Sequence, residues 1–492
     1  MADGSQAAQM VMISADAAKG LAALPFLKTF AAEGFYFIAA ALMILIHVGF
    51  LAYEGGCSRS KNLLATMVKN LMTLATVGIT FYFFGWWVYN GFALWPVTGP
   101  LMGPWTDPAH LSEAAKAAFA PVVTSYPWSD SMTPTKGDEM TGVFWMVFAL
   151  FAMTTASILS GACIERIKVG AYYLLSILLG SFLWVVAAAW GWNFFGWFTS
   201  QWGFHDFGCA VVVHAVSGSF TLGVLINLGP RIGKFDEAGN PRPILPHNIS
   251  MTLVGLMLIF VGFYFFLACC LVYLPDYTGI VNIYGSPATL AMVAVNTTLA
   301  LSAGLMGAYV SSKADPFFTI SGGLTGIISV AAGMDLYHPA LVIVIAFACA
   351  WIMPKVAAFI EKMGIDDVVG AVSVHGCTGI ISGILPGIFA AGYIAQKGQA
   401  PINLLGQIGG VAISAILLGF IPGYLASLAL KKFNLLRVSP DVEREGLDLA
   451  EMGVRAYPET ASIGGGGVDA VMRPEPAVPL ATTKPATLGL AE

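Results

Sequence analysis

Charge is what this chain lacks most. Only 10% of its 492 residues are Asp, Glu, Lys or Arg, whereas soluble domains carry about 25%. With 57% hydrophobic residues, a water-facing surface cannot be built, so a soluble fold is excluded and an all-α polytopic membrane protein is implied. No Lys/Arg cluster or stacking platform argues for nucleic acid. Cysteines number seven (Cys57, Cys163, Cys209, Cys269, Cys270, Cys349 and Cys377); most lie in apolar runs without paired zinc-type spacing and read as small buried hydrophobes. No clear signal peptide opens the chain. Lys19 and Lys28 flank only a weak apolar patch behind a polar leader, so residues 1–32 are expected to stay attached and to lie outside. No enzyme motif is found, and neither a metal nor an organic cofactor is implied. Glycine, in contrast, is abundant at 55 residues, which suits membrane helices whose backbones approach closely.

Windows of about 20 apolar residues give eleven expected spans: 33–53, 64–95, 142–164, 171–194, 207–228, 248–272, 288–311, 317–334, 338–360, 369–395 and 403–430. The second is too long for one crossing, so its helix is expected to end near Trp87. The loop after it, with Pro100, Pro104, Pro108, Pro121, Pro127 and Pro134, is too polar to span. With the N-terminus outside, one side collects Arg59, Lys61 and Lys69, then Arg166 and Lys168, Arg231, Lys234 and Arg242, Lys313, Lys355 and Lys362, and the basic residues of the tail. The other side keeps only Lys19, Lys28, Lys116, Lys136 and Lys397. That bias fits an outer N-terminus and an inner C-terminus. Eleven spans also fit a 5+5 inverted repeat plus one helix, because an odd number per half reverses its orientation. The expected layout is a leader at 1–32, a membrane domain at 33–430, a cytoplasmic region at 431–460 and a Gly/Pro-rich disordered tail at 461–492.

Two histidines stand inside apolar stretches, each eight residues after an aspartate: Asp206 to His214 and Asp367 to His375. Each is followed four residues later by glycine, Gly218 and Gly379. Ionisable side chains in hydrocarbon are costly and mark function by default. On the inverted topology the two occupy equivalent positions in the fifth and tenth spans. Eight residues at 1.5 Å rise carry each about 12 Å inward from opposite faces, which brings them within about 6 Å in depth across a core of about 30 Å. A hydrogen-bonded imidazole pair near the midplane, and so a transporter or channel, is expected. His47 in the first span has no such context and reads as packing or interface.

Taken with these histidines, the segments RSKN at 59–62, GACIERIKV at 161–169, DFGCAVVVH at 206–214, LGPRIGKF at 228–235, PHN at 246–248, AVSVHG at 371–376, GIFA at 387–390, EREGLD at 443–448 and AY at 456–457 make the chain resemble the ammonium transporter family (Amt, related to the Rhesus proteins) over residues 34–457. The resemblance implies a homotrimer in the cell's inner (plasma) membrane, each protomer with a narrow hydrophobic pore. Ammonium would be recruited at an outer vestibule, deprotonated, and conducted as ammonia past the paired histidines. His214 and His375 match the pore pair. Phe151 and Phe266 match the gate rings, with lipid-facing or core phenylalanine the alternative. Trp190 falls where the family carries a cation–π ring, with Trp192 and Trp197 as close rivals in the repetitive WGWNFFGW and an interfacial-belt tryptophan as the alternative. Asp206 matches the vestibular aspartate, as helix cap and electrostatic support, and Asp367 reads as a structural cap at the inner end. A trimeric PII-type regulatory protein is the expected cytoplasmic partner, facing Arg231, Lys234 and residues 431–457.

The sixth span departs from the pattern. Leu267 stands where asparagine is common and Cys270 where a serine helps bind the ion, and a thiol is the weaker donor and acceptor. Val147 replaces a frequent phenylalanine before Phe151, and Val368 a common proline. Recruitment should therefore be weakened while the histidine pore is kept. Three functions stay open: an ammonium transporter with electrogenic proton transfer, a passive Rhesus-like ammonia or gas channel, and an ammonium sensor signalling through its C-terminal region.

Overall fold

The computed structural model describes residues 3–137, 141–272, 281–282, 288–394 and 399–458. Nearly all of them are helical. Among the described residues, ten helices are long and apolar enough to cross a membrane: α1 (Thr29–Cys57), α2 (Ser60–Gly91), α3 (Thr141–Ala162), α4 (Val169–Gly191), α5 (Ala210–Leu228), α6 (Ile249–Ala268), α7 (Leu290–Ser312), then α9 (Pro339–Lys362), α10 (Val372–Phe389) and α11 (Leu404–Lys432). Between α7 and α9 lies the shorter apolar α8 (Pro316–Ala331). Its 16 residues rise only about 24 Å, yet nearly all of its second half is buried. It occupies the place of the expected eighth span. The tail expected at 461–492 lies outside the described residues.

Two boundaries differ from expectation. The helix that holds α1 begins at Asp3, because Ala, Leu and Lys, which dominate the stretch before it, are strong helix formers. The helix of α2 runs on to Gly91 rather than ending near Trp87, through a π-helical turn at Phe81–Gly85. Within the next loop, Glu113–Thr124 forms a helix whose N-terminus is capped by the Ser112 hydroxyl, which accepts from Ala115 N–H. A two-residue antiparallel ladder, Leu271–Val272 with Val281–Asn282, comes after α6.

The outer faces carry rows of exposed apolar side chains, among them Phe37, Ile44 and Val48 on α1, Val295, Met306 and Val310 on α7, and Val344, Trp351 and Phe359 on α9. Such a surface is untenable in water and natural in lipid. This is a multi-pass membrane protein.

Glycines set the helix crossings. A Cβ on Gly255 of α6 would lie 2.3 Å from the backbone nitrogen of Tyr53 in α1, and one on Gly49 would lie 2.6 Å from the carbonyl oxygen of Gly255. At the crossing of α5 and α10, a Cβ on Gly218 would stand 2.1 Å from the Gly376 nitrogen, and one on Gly379 would stand 2.4 Å from the Ala210 oxygen. These are backbone atoms and cannot swing aside. Gly218→Ala and Gly379→Ala should each cost about 1–3 kcal/mol, the range for overpacking. Gly170→Ala, where nothing lies within 4 Å, should be neutral or mildly stabilising. Thermal melting of the purified proteins in detergent checks this, and equal melting for all three would refute the account of the crossing.

Candidate functional site

Each histidine is delivered by the same local device. The Asp206 carboxylate accepts from the Val211 and Val212 N–H groups at 2.9 and 3.0 Å. The Asp367 carboxylate accepts from Ala371 and Val372 at 2.9 and 2.7 Å. These bonds satisfy the free amides of a helix start. Three residues after each aspartate the chain takes positive φ, 63° at Cys209 and 72° at Gly370. The helix then opens with a π-helical turn, Ala210–Ala215 carrying His214 and Val372–Cys377 carrying His375. Such turns re-aim side chains and recur at functional sites. Burial pushes both aspartate carboxyls up to about 6, against the pull of the capping N–H groups.

The two imidazoles meet. Their Nδ1 atoms are 2.9 Å apart and their ring centroids 5.1 Å, with planes 18° from parallel. One ring donates and the other accepts, so complementary tautomers are fixed. Both side chains are buried. The His214 Nε2 finds no partner among the described residues.

In front of the pair runs a file of rings. His214 lies 6.3 Å from Phe266, Phe266 4.1 Å from Phe151, and Phe151 5.0 Å from Trp192, centroid to centroid. Phe263 stacks on His214 at 5.9 Å, and Phe148 packs on both Phe151 and Trp192. The three tryptophans of the WGWNFFGW run are placed differently. It is Trp192 that stands on the phenylalanines, while Trp190 packs against Trp95, Trp197 and Phe198. Trp190 still belongs to α4, whereas Trp192 follows its last residue, Gly191, in non-helical backbone.

Cys270 is fully buried one turn beyond Phe266, and its Sγ donates to the Phe266 carbonyl at 3.5 Å. Leu267 is buried against Gly208, where a Cβ would lie 2.6 Å from its Cδ2. His47 is buried on α1. All seven cysteines are free thiols. Among the described residues, no three His, Cys, Asp or Glu side chains are grouped so as to hold a metal ion.

Just before α10, Asp366 clamps the loop that carries Asp367. It accepts from Arg231 Nε at 2.8 Å, Nη2 at 3.0 Å and backbone N–H at 2.9 Å, and its carbonyl accepts from Arg166 Nη2 at 2.6 Å. Lys234 pairs with Glu361. Arg231 and Lys234 are thus spent on internal pairs and buried, not displayed for a partner. A cavity of about 410 Å³ opens beside them, bordered by Asp315, Phe317, Glu361 and Asp367. The tail packs along the same side: Glu443 accepts from Ile232 N–H and Arg437 at 2.7 Å each, and Asp448 from Ala65 and Leu64 N–H at 2.8 and 3.0 Å.

Sequence reasoning missed two polar groups. His205 Nε2 lies 3.0 Å from Asp335, both fully buried; the adjacency of His205 to Asp206 was the available signal. Lys69, counted as an inner-loop charge, is buried on α2 beside Glu54 of α1. An ionisable residue so near the end of an apolar run was the clue there.

A helical bundle with a lipid-facing exterior and paired imidazoles enclosed behind aromatic rings is the architecture of a membrane transporter. The sequence model of the Ammonium Transporter Family matches residues 34–457, and the chain belongs to that family. Among curated relatives, ammonium transporter Amt2 of Methanocaldococcus jannaschii is 32% identical over 433 residues, covering 87% of this chain and 92% of that protein. Ammonium transporter Amt2 of Haloferax mediterranei is 32% identical over 430 residues, covering 86% and 88%. Among solved structures, one titled "Sensor Amt Protein" aligns with a TM-score of 0.69 at 26% identity, covering 86% of this chain and 99% of that one. Saccharomyces cerevisiae Mep2 shares the fold with a TM-score of 0.63 at 20% identity, covering 84% and 88%.

The Asp366 clamp makes a prediction about stability. Arg166 and Arg231 outweigh the opposing effect of burial and hold this carboxyl well below the usual carboxylate range. A depressed folded pKa means the stabilisation is complete above the unfolded value of about 4 and erodes as the pH falls below it. Asp366→Asn should cost about 3–5 kcal/mol, since it strands buried guanidinium groups. It should also flatten the acid limb of a melting-versus-pH profile. A variant that melts like the parent at neutral pH would refute the clamp.

Proposed function

We propose that this chain is an ammonium transporter that recruits ammonium at an outer vestibule, removes its proton there, and conducts ammonia through the conduit lined by His214 and His375. The proton crosses too, so net transport carries charge. The 2.9 Å contact between two buried imidazoles, standing behind the Phe151–Phe266 ring pair, carries this reading. Ammonium and potassium ions are alike in charge and size, and a dry conduit without a ring of carbonyls replaces the hydration of neither. Only ammonium can leave its charge behind by giving up a proton. The imidazole pair then offers alternating donor and acceptor sites to the neutral molecule. Phe151 and Phe266 are the gate, Trp192 the recruiting ring with Cys270 beside the gate, and Asp206 and Asp367 the caps that aim the two histidine helices.

The same reading takes α1–α11 as eleven crossings, N-terminus outside and C-terminus inside, with α1–α5 and α6–α10 an inverted repeat. The matched aspartate caps, positive-φ residues and π-helical turns at α5 and α10 support it. Residues 1–32 form the outer leader, 33–430 the transporter domain and the residues from 431 on the cytoplasmic region. Three protomers assemble in the cell's inner membrane. A PII-type protein would meet the packed tail rather than Arg231 or Lys234. A second reading, an ammonium sensor, is favoured by the 26% identity to the solved chain titled "Sensor Amt Protein".

Currents evoked by ammonium pulses in proteoliposomes test the proposal. A saturable current that vanishes in the His214→Ala/His375→Ala double variant is expected. A pH change without charge movement would instead mark a passive ammonia channel, and binding without either a sensor.

Recruitment has its own test. Trp192→Leu should raise the half-saturation concentration about 2–30-fold, the worth of a cation–π contact of about 0.5–2 kcal/mol, and Trp190→Leu should change it less. Cys270→Ser should lower it. A reversed order of the two tryptophan variants would contradict the assignment.

A further inference from the structure

Behind the histidines lies a polar cluster that the ring-lined conduit does not use. Glu54 is buried on α1. Asn70 Nδ2 donates to its Oε2 at 2.7 Å, and the Ser160 hydroxyl donates to its Oε1. Lys69 Nζ donates to the Ser160 carbonyl at 2.9 Å and sits 5.1 Å from the Tyr172 ring centroid. A carboxylate and an ammonium buried together are an expensive way to hold helices.

A small cavity joins this cluster to the histidine pair. Its volume is about 10 Å³, and Tyr53, Glu54, Ser321, Val369, Val374 and His375 are among the residues that border it. That is about the room one water needs, and a water there has the two to four polar neighbours it requires. His375 has given Nδ1 to His214, which leaves Nε2 for the cavity.

We propose that Glu54 is the proton acceptor on the inner side of the histidine pair, reached from His375 through a single water in this cavity. The proposal rests on the reading that the proton released in the vestibule crosses by way of His214 and His375. The imidazolium N–H of His375 breaks as the water takes its proton, and the water's own O–H breaks as an O–H forms on the Glu54 carboxylate. One proton moves, the water is regenerated, and no electrons are exchanged. Asn70, Ser160 and Lys69 hold the carboxylate in place between passages. Lys69 also faces Glu451 on the tail segment Leu447–Met452, so ionisable groups continue toward the surface the tail covers, where Glu54 releases the proton. Beyond the histidines ammonia and the proton then follow different routes.

The test uses the full chain in proteoliposomes, with ammonium-evoked current and ammonia-driven pH change recorded side by side for the parent, Glu54→Gln, Glu54→Asp and the double histidine variant. Each variant is first checked for parental melting and elution. The expected result is that Glu54→Gln loses at least tenfold in current while keeping ammonia conduction within twofold, and that Glu54→Asp restores much of the current. Should Glu54→Gln keep its current while the histidine variant loses it, the relay is overturned and the pore reading stands. Parallel loss of current and ammonia conduction, unrelieved in Glu54→Asp, would make Glu54 a packing residue and overturn the relay as well. A parent that moves ammonia without charge would overturn the electrogenic reading and the relay with it.

Discussion

The hydrogen bond between His214 and His375 can exist only because two helix backbones touch. At Gly218 and Gly379 the α5 and α10 chains approach until a methyl group on either would meet backbone atoms. That contact is what lets imidazoles from different helices bring their Nδ1 atoms to 2.9 Å. Each glycine lies one turn beyond its histidine, so the residue that permits the approach and the residue that uses it share a face of the helix. In an apolar bundle, two unpaired imidazoles would each cost a lost hydrogen bond. Paired, they satisfy one nitrogen apiece.

Depth is set elsewhere, by charge kept out of the apolar core. Asp206 and Asp367 accept the backbone N–H groups of the helices they start. The cations are held one residue away. Asp366 takes both Arg166 and Arg231, and the tail's Glu443 and Asp448 bind the loops around them. The result separates two jobs. Ion pairs fix the loop, and the neighbouring aspartate is left to fix the helix start and, through it, the height of His375. A loop held by several buried pairs gives the start of α10 a rigid support, because breaking any one strands a charge.

Much of this was legible in the chain. Apolar windows located the helices to within a few residues, because hydrocarbon admits little else than helix. The Asp-to-His spacing, repeated with its following glycine, revealed the paired site, since rise per residue converts spacing into depth. Rotation about a helix axis was not legible. Trp190 and Trp192 differ by two residues in a repetitive run, and Trp192, just past the end of α4, is the one that meets Phe151. Hydropathy does not distinguish their directions. Glu54 and Lys69 were hidden for a related reason: each lies near the end of an apolar run, where a window assigns charge to the loop, whereas the helices continue and bury both.

Under the proposed reading, these features explain how an oily conduit can favour an ion that it cannot solvate. The ring file from Trp192 through Phe151 and Phe266 to His214 offers faces and edges, no row of carbonyls. A cation of fixed charge must therefore give up hydration with little in return. An acid escapes this penalty if its proton and its neutral base take separate paths, and the structure has two distinct surroundings for them. One is the apolar ring file, suited to the base. The other is the one-water cavity between His375 and Glu54, lined with groups that can pass a proton and too small for a hydrated ion. Exclusion of potassium then comes from the lack of any place where its charge could be left behind, and the pore needs no ion-binding geometry finer than the hydrogen bond at its centre.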